Sequence, residues 1–221
     1  MESIEPYLIN DLYKNDRVIL AIGMKGSGKT TLLLNYIIFS IHKGIYNEWH
    51  LFLPSYEYEQ NNLYDFIKKS NNKNIFIYDT YHEIISNKII KHINKTKRIF
   101  IGIDDATSQL SMNADTGLKK ILTTSRHCKI TTWICGHIAR KEIRSFLRSV
   151  LDYLLIYATA NDRIVKQIWE EYMSRYPEYK KYDEFSVDFK KYVDEDKYNG
   201  LIIDLQNKKF SWDVKYFVLN S

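Results

Sequence analysis

Short apolar runs alternate with longer amphipathic stretches over most of the chain. The runs are apolar at nearly every position, which is typical of parallel strands that are buried on both faces. They predict six strands, at residues 18–22, 49–53, 75–78, 98–103, 130–135 and 153–157. The stretches between them have apolar residues at helical spacing and predict helices at 29–42, 57–70, 82–94, 118–127 and 140–150. Repeated strand–helix units predict an α/β fold with a doubly wound, mainly parallel sheet.

The pattern changes after residue 160. Helices are predicted at 162–175 and 184–193, followed by two short strands at 200–205 and 210–214 that a three-residue turn joins into a hairpin. We interpret residues 161–221 as a C-terminal helical and hairpin extension that packs on a core formed by residues 17–160. Residues 1–16 are predicted to form an N-terminal arm.

The loop after the first predicted strand carries the most specific chemical signal. It reads Gly-Met-Lys-Gly-Ser-Gly-Lys-Thr over residues 23–30, which is the P-loop pattern G-x-x-x-x-G-K-[ST] between a strand and a helix. The backbone N–H groups of such a loop point at phosphate oxygens, its lysine reaches the β- and γ-phosphates, and its threonine ligates Mg²⁺. The residues expected to contact the nucleotide are Gly23, Lys25, Gly26, Ser27, Gly28, Lys29, Thr30 and Thr31. Lys25 has a plain alternative as a solvent-facing loop lysine.

Two acids directly follow the strand predicted at 98–103, where α/β sheets bind their ligands. Asp104 would hold Mg²⁺ opposite Thr30, as the acid of a Walker B motif does. Asp105 would orient or deprotonate the attacking water, which favours hydrolysis over transfer to a bound acceptor. The alternative is that an aspartate here caps a helix.

The order of the elements indicates which P-loop class is present. Two predicted strands separate the P-loop strand from the strand before Asp104 along the chain, which fits the additional-strand, RecA-like ATPases. No Asn-Lys-x-Asp run for guanine recognition occurs, so ATP is the expected nucleotide. In such ATPases a polar residue after the strand beside the P-loop strand senses the γ-phosphate. His137 is placed for that role, and its alternative is an ordinary loop histidine.

Composition and charge narrow the possibilities. The chain has 221 residues, 45% of them hydrophobic, which suffices for one α/β domain with a sizeable core. No apolar run approaches the roughly 20 residues of a membrane span, and the N-terminus lacks the order of a signal peptide. Cys128 and Cys135 are expected to be reduced thiols of a cytosolic protein. Residues 118–150 contain eight Lys and Arg against one acid, Glu142, which suits a polyanion, although a solvated helix face would look the same.

Four segments together resemble the FtsK/HerA superfamily, and most closely its viral branch. That branch comprises the genome-packaging ATPases of poxviruses, other large DNA viruses, virophages and internal-membrane icosahedral viruses. The segments are residues 23–30, residues 98–105, Thr-Ser-Arg-His at 124–127 and Phe-Leu-Arg at 146–148. The resemblance covers about residues 15–160. The family usually has a glutamine at the tip of the sensor strand, where this chain has Gly136 and His137.

The resemblance implies a homo-oligomeric ring, a pentamer or hexamer, that hydrolyses ATP between its subunits. The ring would push double-stranded DNA into a preformed capsid and contact a capsid or portal-vertex protein. Its implied location is the host cytoplasm, a virus factory or the capsid vertex. An arginine from a neighbouring subunit would stabilise the transition state. Arg126 and Arg148 are the candidates for this arginine finger, with Arg140 and Arg144 behind them. The alternative for each is a DNA contact or an ordinary surface residue.

Other functions fit the same motifs. A different DNA-translocating ATPase or a helicase would carry the same residues. A nucleoside or nucleotide kinase has a similar length, but the acids Asp104 and Asp105 stand where a hydrolase needs them. A nucleotide-gated scaffold would not need the intact set of Lys29, Thr30 and the two aspartates.

Overall fold

The computed structural model describes residues 14–53, 62–93, 96–104, 116–136, 149–159, 162–196 and 198–212. The strands are β1 (Val18–Ile22), β2 (Glu48–Phe52), β3 (Ile75–Tyr78), β4 (Ile99–Ile103), β5 (Ile130–Gly136), β6 (Tyr153–Tyr157), β7 (Gly200–Asp204) and β8 (Lys209–Ser211). The helices are α1 (Lys29–His42), α2 (Asn62–Lys69), α3 (Glu83–His92), α4 (Thr116–Thr124), α5 (Asp162–Ile168) and α6 (Tyr182–Glu195). Most of the helix predicted at 140–150 lies outside the described residues.

The strands of the described chain form one sheet in the order β3-β2-β4-β5-β1-β6-β7-β8. The first six strands of this order, from β3 at one edge to β6, are parallel to one another. Strand β7 pairs antiparallel with β6, and β8 pairs antiparallel with β7. The predicted fold class is therefore confirmed, including the hairpin that follows the helical tail. The hairpin continues the main sheet beyond β6.

Helices cover both faces of the sheet. Because neighbouring residues of a strand point to opposite faces, β1 gives Val18 and Leu20 to one core and Ile19 and Ala21 to the other. Helices α1 and α2 pack on the core that contains Ile19, and α3 to α6 pack on the core that contains Val18. This double burial explains why the strands are apolar at most of their positions in the sequence.

The helix predicted at 162–175 is interrupted in the structure. Helix α5 ends at Ile168, and a π-helical turn follows over Trp169–Met173. The N–H of Ser174 donates to the carbonyl of Trp169 at 2.8 Å, which is the wider hydrogen bond of such a turn. The indole of Trp169 donates to the carbonyl of Tyr179 at 2.9 Å. A contact with a later segment therefore accompanies the change, and helical periodicity alone does not reveal it.

The other boundaries differ from the prediction by a few residues. Helix α4 ends at Thr124, so Arg126 lies in the turn before β5 and not in the predicted helix. Lys129 closes this turn with a φ of 55°. In the hairpin, the carboxylate of Asp204 accepts the N–H groups of Gln206 and Asn207 at 3.0 and 2.9 Å, which fixes the turn. None of the helices in the described ranges has the length and apolar character that a membrane crossing needs.

Candidate nucleotide-binding site

The carboxyl ends of β1, β5 and β4 meet at one edge of the sheet, where the P-loop and Asp104 lie. Strand β5 runs between the other two, because Gly136 pairs with Ile22 of β1 and Ile134 pairs with Ile103 of β4. Two strand spacings, about 10 Å, thus separate the end of β1 from the end of β4. The loop that follows β1 spans this gap and reaches the acid that follows β4.

The glycines of the loop are required by its backbone. Gly26 and Gly28 have φ of 77° and 92°, a left-handed region that favours glycine. A Cβ on Gly23 would lie 2.7 Å from the Cβ of Tyr157, so this position has no room for a side chain. Directly after it, the N–H of Met24 donates to the carbonyl of Ala158 at 2.8 Å. The loop is therefore fastened to the end of β6.

The side chain of Lys29 is buried inside the loop, with 6% of the residue exposed. Its Nζ donates to the carbonyls of Gly23 and Met24 at 3.0 and 2.7 Å, and lies 3.4 Å from Oγ of Ser27. The loop thus holds a positive charge at its centre. Phosphate oxygens are charged acceptors, and an ammonium group forms stronger hydrogen bonds with them than it forms with neutral carbonyl oxygens.

Thr30 and Asp104 are in direct contact although 74 positions separate them along the chain. The Thr30 hydroxyl donates to Oδ1 of Asp104 at 3.0 Å. Asp104 is 6% exposed, and its N–H donates to the carbonyl of Phe52 at 2.9 Å, which anchors it to β2. A hydroxyl beside a carboxylate is the oxygen donor set that Mg²⁺ prefers, so these residues fit the predicted metal.

The remaining loop residues differ in exposure. Ser27 is buried at 3% exposure, whereas Lys25 and Thr31 face solvent. Beneath the first turn of α1, the buried thiol of Cys135 lies 3.7 Å from the carbonyl of Lys29. Cys128 and Cys135 both belong to the described chain and form no disulfide with each other.

Several predicted site residues lie outside the described part of the chain. They are Asp105, His137, Arg140, Arg144 and Arg148. Their roles as water-orienting acid, γ-phosphate sensor and arginine finger therefore stay predictions.

Arg126 lies at the opposite edge of the sheet, away from the P-loop. Its guanidinium is paired with the carboxylate of Asp152, and Oδ2 of Asp152 accepts the N–H of Val18 at 2.8 Å. Val18 begins β1 and the P-loop follows its end, so the five residues of β1, about 16 Å, separate them. Arg126 is therefore too distant to contact a nucleotide in its own subunit.

Sequence reasoning missed two features that shape these edges. Asp152 shows only as a single acid before an apolar strand, and its importance depends on β6 lying beside β1. The contact between Gly23 and Tyr157 also depends on this neighbour. Both signals require the strand order, which the apolar pattern does not contain.

A P-loop between β1 and α1, an acid after β4 and a strand between them define a P-loop NTPase of the additional-strand type. The fold is similar to that of B204, the DNA-packaging ATPase from Sulfolobus Turreted Icosahedral Virus, with a TM-score of 0.62 and 16% sequence identity over 89% of this chain and 96% of that one. It is also similar to the genome packaging NTPase B204 from Sulfolobus turreted icosahedral virus 2 in complex with ATP-gammaS. For this structure the TM-score is 0.63 and the identity 16%, over 92% of this chain and 98% of that one.

No protein-family model matches the chain, and no curated protein matches its sequence. At 16% identity the likeness to B204 shows the fold. The resemblance to viral packaging ATPases that the motifs predict is therefore confirmed at the level of the fold.

Proposed function

We propose that this protein is an Mg²⁺-dependent ATPase that assembles into a homo-oligomeric ring and moves double-stranded DNA into a preformed viral capsid. The observation that carries the proposal is the 3.0 Å contact between Thr30 and Asp104 beside the buried Lys29. It unites a phosphate-binding loop with an acid from a distant strand. The likeness to B204 over nearly the whole chain supports the packaging role.

Binding of ATP follows from the geometry of the loop. Lys29 exchanges the carbonyls of Gly23 and Met24 for oxygens of the β- and γ-phosphates, and the start of α1 adds its positive dipole end. Thr30 and Asp104 would hold Mg²⁺, which when bound neutralises charge on the phosphate oxygens. The buried position of Asp104 keeps its carboxylate oriented toward Thr30.

Hydrolysis needs groups beyond those of the loop. We assign the water-orienting role to Asp105 and the γ-phosphate sensor to His137. Arg126 or Arg148 of a neighbouring subunit would stabilise the charge of the transition state, a contribution on the order of 10³–10⁵ in rate. The position of Arg126 far from its own P-loop suits a role between subunits and excludes one within a subunit.

Basic side chains supply the attraction to DNA. Within the described chain, Lys120 of α4 and Lys129 of the turn before β5 are exposed. Such residues bind the phosphate backbone without reading base sequence. In this proposal the ring meets a capsid or portal-vertex protein and acts in the host cytoplasm or a virus factory.

The rate of ATP hydrolysis as a function of protein concentration, with and without duplex DNA, tests the proposal. We expect the rate per subunit to rise steeply where rings assemble and to increase again with DNA. The Lys29→Ala variant at the same concentrations is the control for contaminating ATPases. A concentration-independent rate that DNA does not change would contradict the proposal.

A further inference from the structure

We infer that Asp152 is a positioning residue that holds Arg126 against the nucleotide of a neighbouring subunit. The inference rests on the proposed function, in which ATP is hydrolysed between subunits. It names the residue that orients the arginine and the edge of the sheet that faces the neighbour.

Asp152 is fixed by every polar group it has. It is fully buried, at 0% exposure. Its Oδ2 accepts the N–H of Val18 at 2.8 Å, and its own N–H donates to the carbonyl of Val18 at 2.9 Å. Its carbonyl accepts the N–H of Leu205 at 2.9 Å. Oδ1 is thereby directed at Arg126, and the carboxylate is held by β1 on one side and the end of β7 on the other.

The side chain of Arg126 is fixed at one end and open at the other. One terminal nitrogen donates to Asp152, while 51% of the side chain is exposed. Its remaining guanidinium nitrogens make no hydrogen bond to a residue of the described ranges. An arginine that is already held loses less side-chain freedom when it binds an anion. The pair is therefore built to present a charge outward.

A second aspartate–arginine pair at the same edge has the opposite character. Arg98 binds Asp16 at 2.9 Å, but the two side chains are only 22% and 15% exposed. The guanidinium of Arg98 lies 5.1 Å from the ring centroid of Tyr46, so it faces the interior. The Asp16–Arg98 pair thus shows what a structural pair looks like here, and it supplies a matched control.

The position of the pair sets how two subunits would meet. Arg126 lies at the edge where the parallel strands begin, and the P-loop lies at the edge where they end. For this arginine to reach a bound nucleotide, the edge where the strands of one subunit begin must face the edge where the strands of the next subunit end. Such a head-to-tail contact is heterologous, and it forms a closed ring when the rotation between successive subunits completes a full turn. The exposed Lys129, Lys208 and Lys209 add positive charge to this edge, which suits a triphosphate.

The Asp152→Asn variant tests the inference with little change in shape. The amide oxygen still accepts the N–H of Val18, but the charge that holds Arg126 is lost. We expect kcat to fall at least about 10-fold with the KM for ATP nearly unchanged, since the arginine acts in the transition state. Arg126→Ala should lose about 10³-fold, and adding Asp152→Asn to it should cost no further activity. Asp16→Asn should keep its activity per folded molecule.

Mixed rings separate positioning from stability. Lys29→Ala subunits keep an intact Arg126–Asp152 pair, and Asp152→Asn subunits keep an intact P-loop, so mixing the two should restore hydrolysis. If Asp152→Asn fails to fold, Arg126→Lys takes its place in the mixture, because lysine keeps the ion pair but lacks the planar fork of the guanidinium.

Three outcomes would overturn the inference. One is a loss of activity in Asp152→Asn that mixing does not restore, together with a loss of thermal stability as large as that of Asp16→Asn. Another is full activity of Asp152→Asn in wild-type-like rings. The third is weaker DNA binding with unchanged DNA-free hydrolysis, which would make the pair a DNA contact. If the wild-type chain itself neither forms rings nor hydrolyses ATP, the proposed function fails, and the inference fails with it.

Discussion

Lys29 is the residue on which nucleotide binding depends most directly, because three loop oxygens hold its ammonium group at the phosphate position. The Lys29→Ala variant should lose hydrolysis and at least about 10-fold in nucleotide affinity, since its charge-assisted contacts disappear. Titration with a fluorescent ATP analogue and release of phosphate measure both effects. Lys43→Ala, an exposed lysine at the end of α1, is the matched control. Unchanged affinity in Lys29→Ala would refute the assignment.

The adjacent aspartates should fail in different ways. Asp104 contacts Thr30, so Asp104→Asn should reduce the dependence of ATP affinity on Mg²⁺. Asp105→Asn should keep ATP bound but block its hydrolysis, because the group that orients water is gone. Equilibrium binding with and without Mg²⁺, combined with single-turnover hydrolysis, distinguishes the two. Normal turnover of Asp105→Asn would remove that residue from the catalytic role.

Gly23 should tolerate no substitution. An added Cβ would lie 2.7 Å from the Cβ of Tyr157, so Gly23→Ala should lower the free energy of unfolding by about 1–3 kcal/mol. Gly44→Ala is the control, because its φ of 59° is strained but its Cβ would meet open space. Urea denaturation measures both. Gly23 has no positive φ, so crowding is the expected cause, and an unchanged free energy of unfolding in Gly23→Ala would contradict it.

At the scale of the elements, apolar runs predict the strands well because the central parallel strands β1, β4, β5 and β6 are buried on both faces. The bounds of α1 are predicted at both ends, since Gly28 precedes it and Gly44 follows shortly after it. Contacts with distant segments decide the rest. The π-helical turn at Trp169 accompanies its hydrogen bond to Tyr179, and the Arg126–Asp152 pair joins a turn to the start of β6. Local periodicity contains neither contact.

The same limit applies to the candidate site. The P-loop and Asp104 follow from local motifs, and the structure brings Thr30 of one to the carboxylate of the other. The placement of Arg126 at the far edge required the sheet order. A motif identifies a residue's chemistry, whereas the topology determines which nucleotide that residue is able to reach.

A buried pair of tyrosines, Tyr36 of α1 and Tyr46 of the connection to β2, predicts that the free energy of unfolding depends on pH. Tyr36 and Tyr46 share a hydrogen bond of 2.7 Å, and burial raises the pKa of Tyr46 to about 12. The fold therefore retains a proton that the unfolded chain releases near pH 10, and its stability should fall between pH 10 and 12. The expected contribution is about 2–3 kcal/mol. Urea denaturation at pH 9 and 11 should show a smaller decrease for Tyr46→Phe than for the wild type, and an equal decrease would contradict this.

At the scale of the whole molecule, the likeness to B204 extends further than the sequence resemblance. It covers 89% of the chain, which is more than residues 1–160 contain. The helical and hairpin tail is therefore partly included in the shared fold. Strand β7 continues the sheet directly beside β6 and contacts Asp152 through Leu205. The tail thus takes part in the architecture of the edge that carries Arg126.

The affinity for DNA should depend on the salt concentration, and the stimulation of ATP hydrolysis by DNA should not depend on base sequence. If basic residues bind only phosphates, raising salt from about 50 to 200 mM should lower the affinity for duplex DNA by orders of magnitude. Duplexes of different sequence should stimulate ATP hydrolysis equally. Fluorescence anisotropy and ATPase assays on the same duplexes test this. A strong preference for one sequence, or affinity that salt does not change, would contradict the proposed translocation.

Strand β1 connects the Arg126–Asp152 pair to the P-loop, and the proposed ring would place these two groups in different interfaces. Its first residue, Val18, is bound to the aspartate that holds Arg126, and its last residue leads into the P-loop. In such a ring, the arginine touches the neighbour's ATP while the loop touches the subunit's own ATP. A change at one interface then has only one short, fully paired strand to cross before it reaches the next. ATP hydrolysis at one site of the ring would thereby be coupled through β1 to the adjacent site, which would set the order in which the sites act.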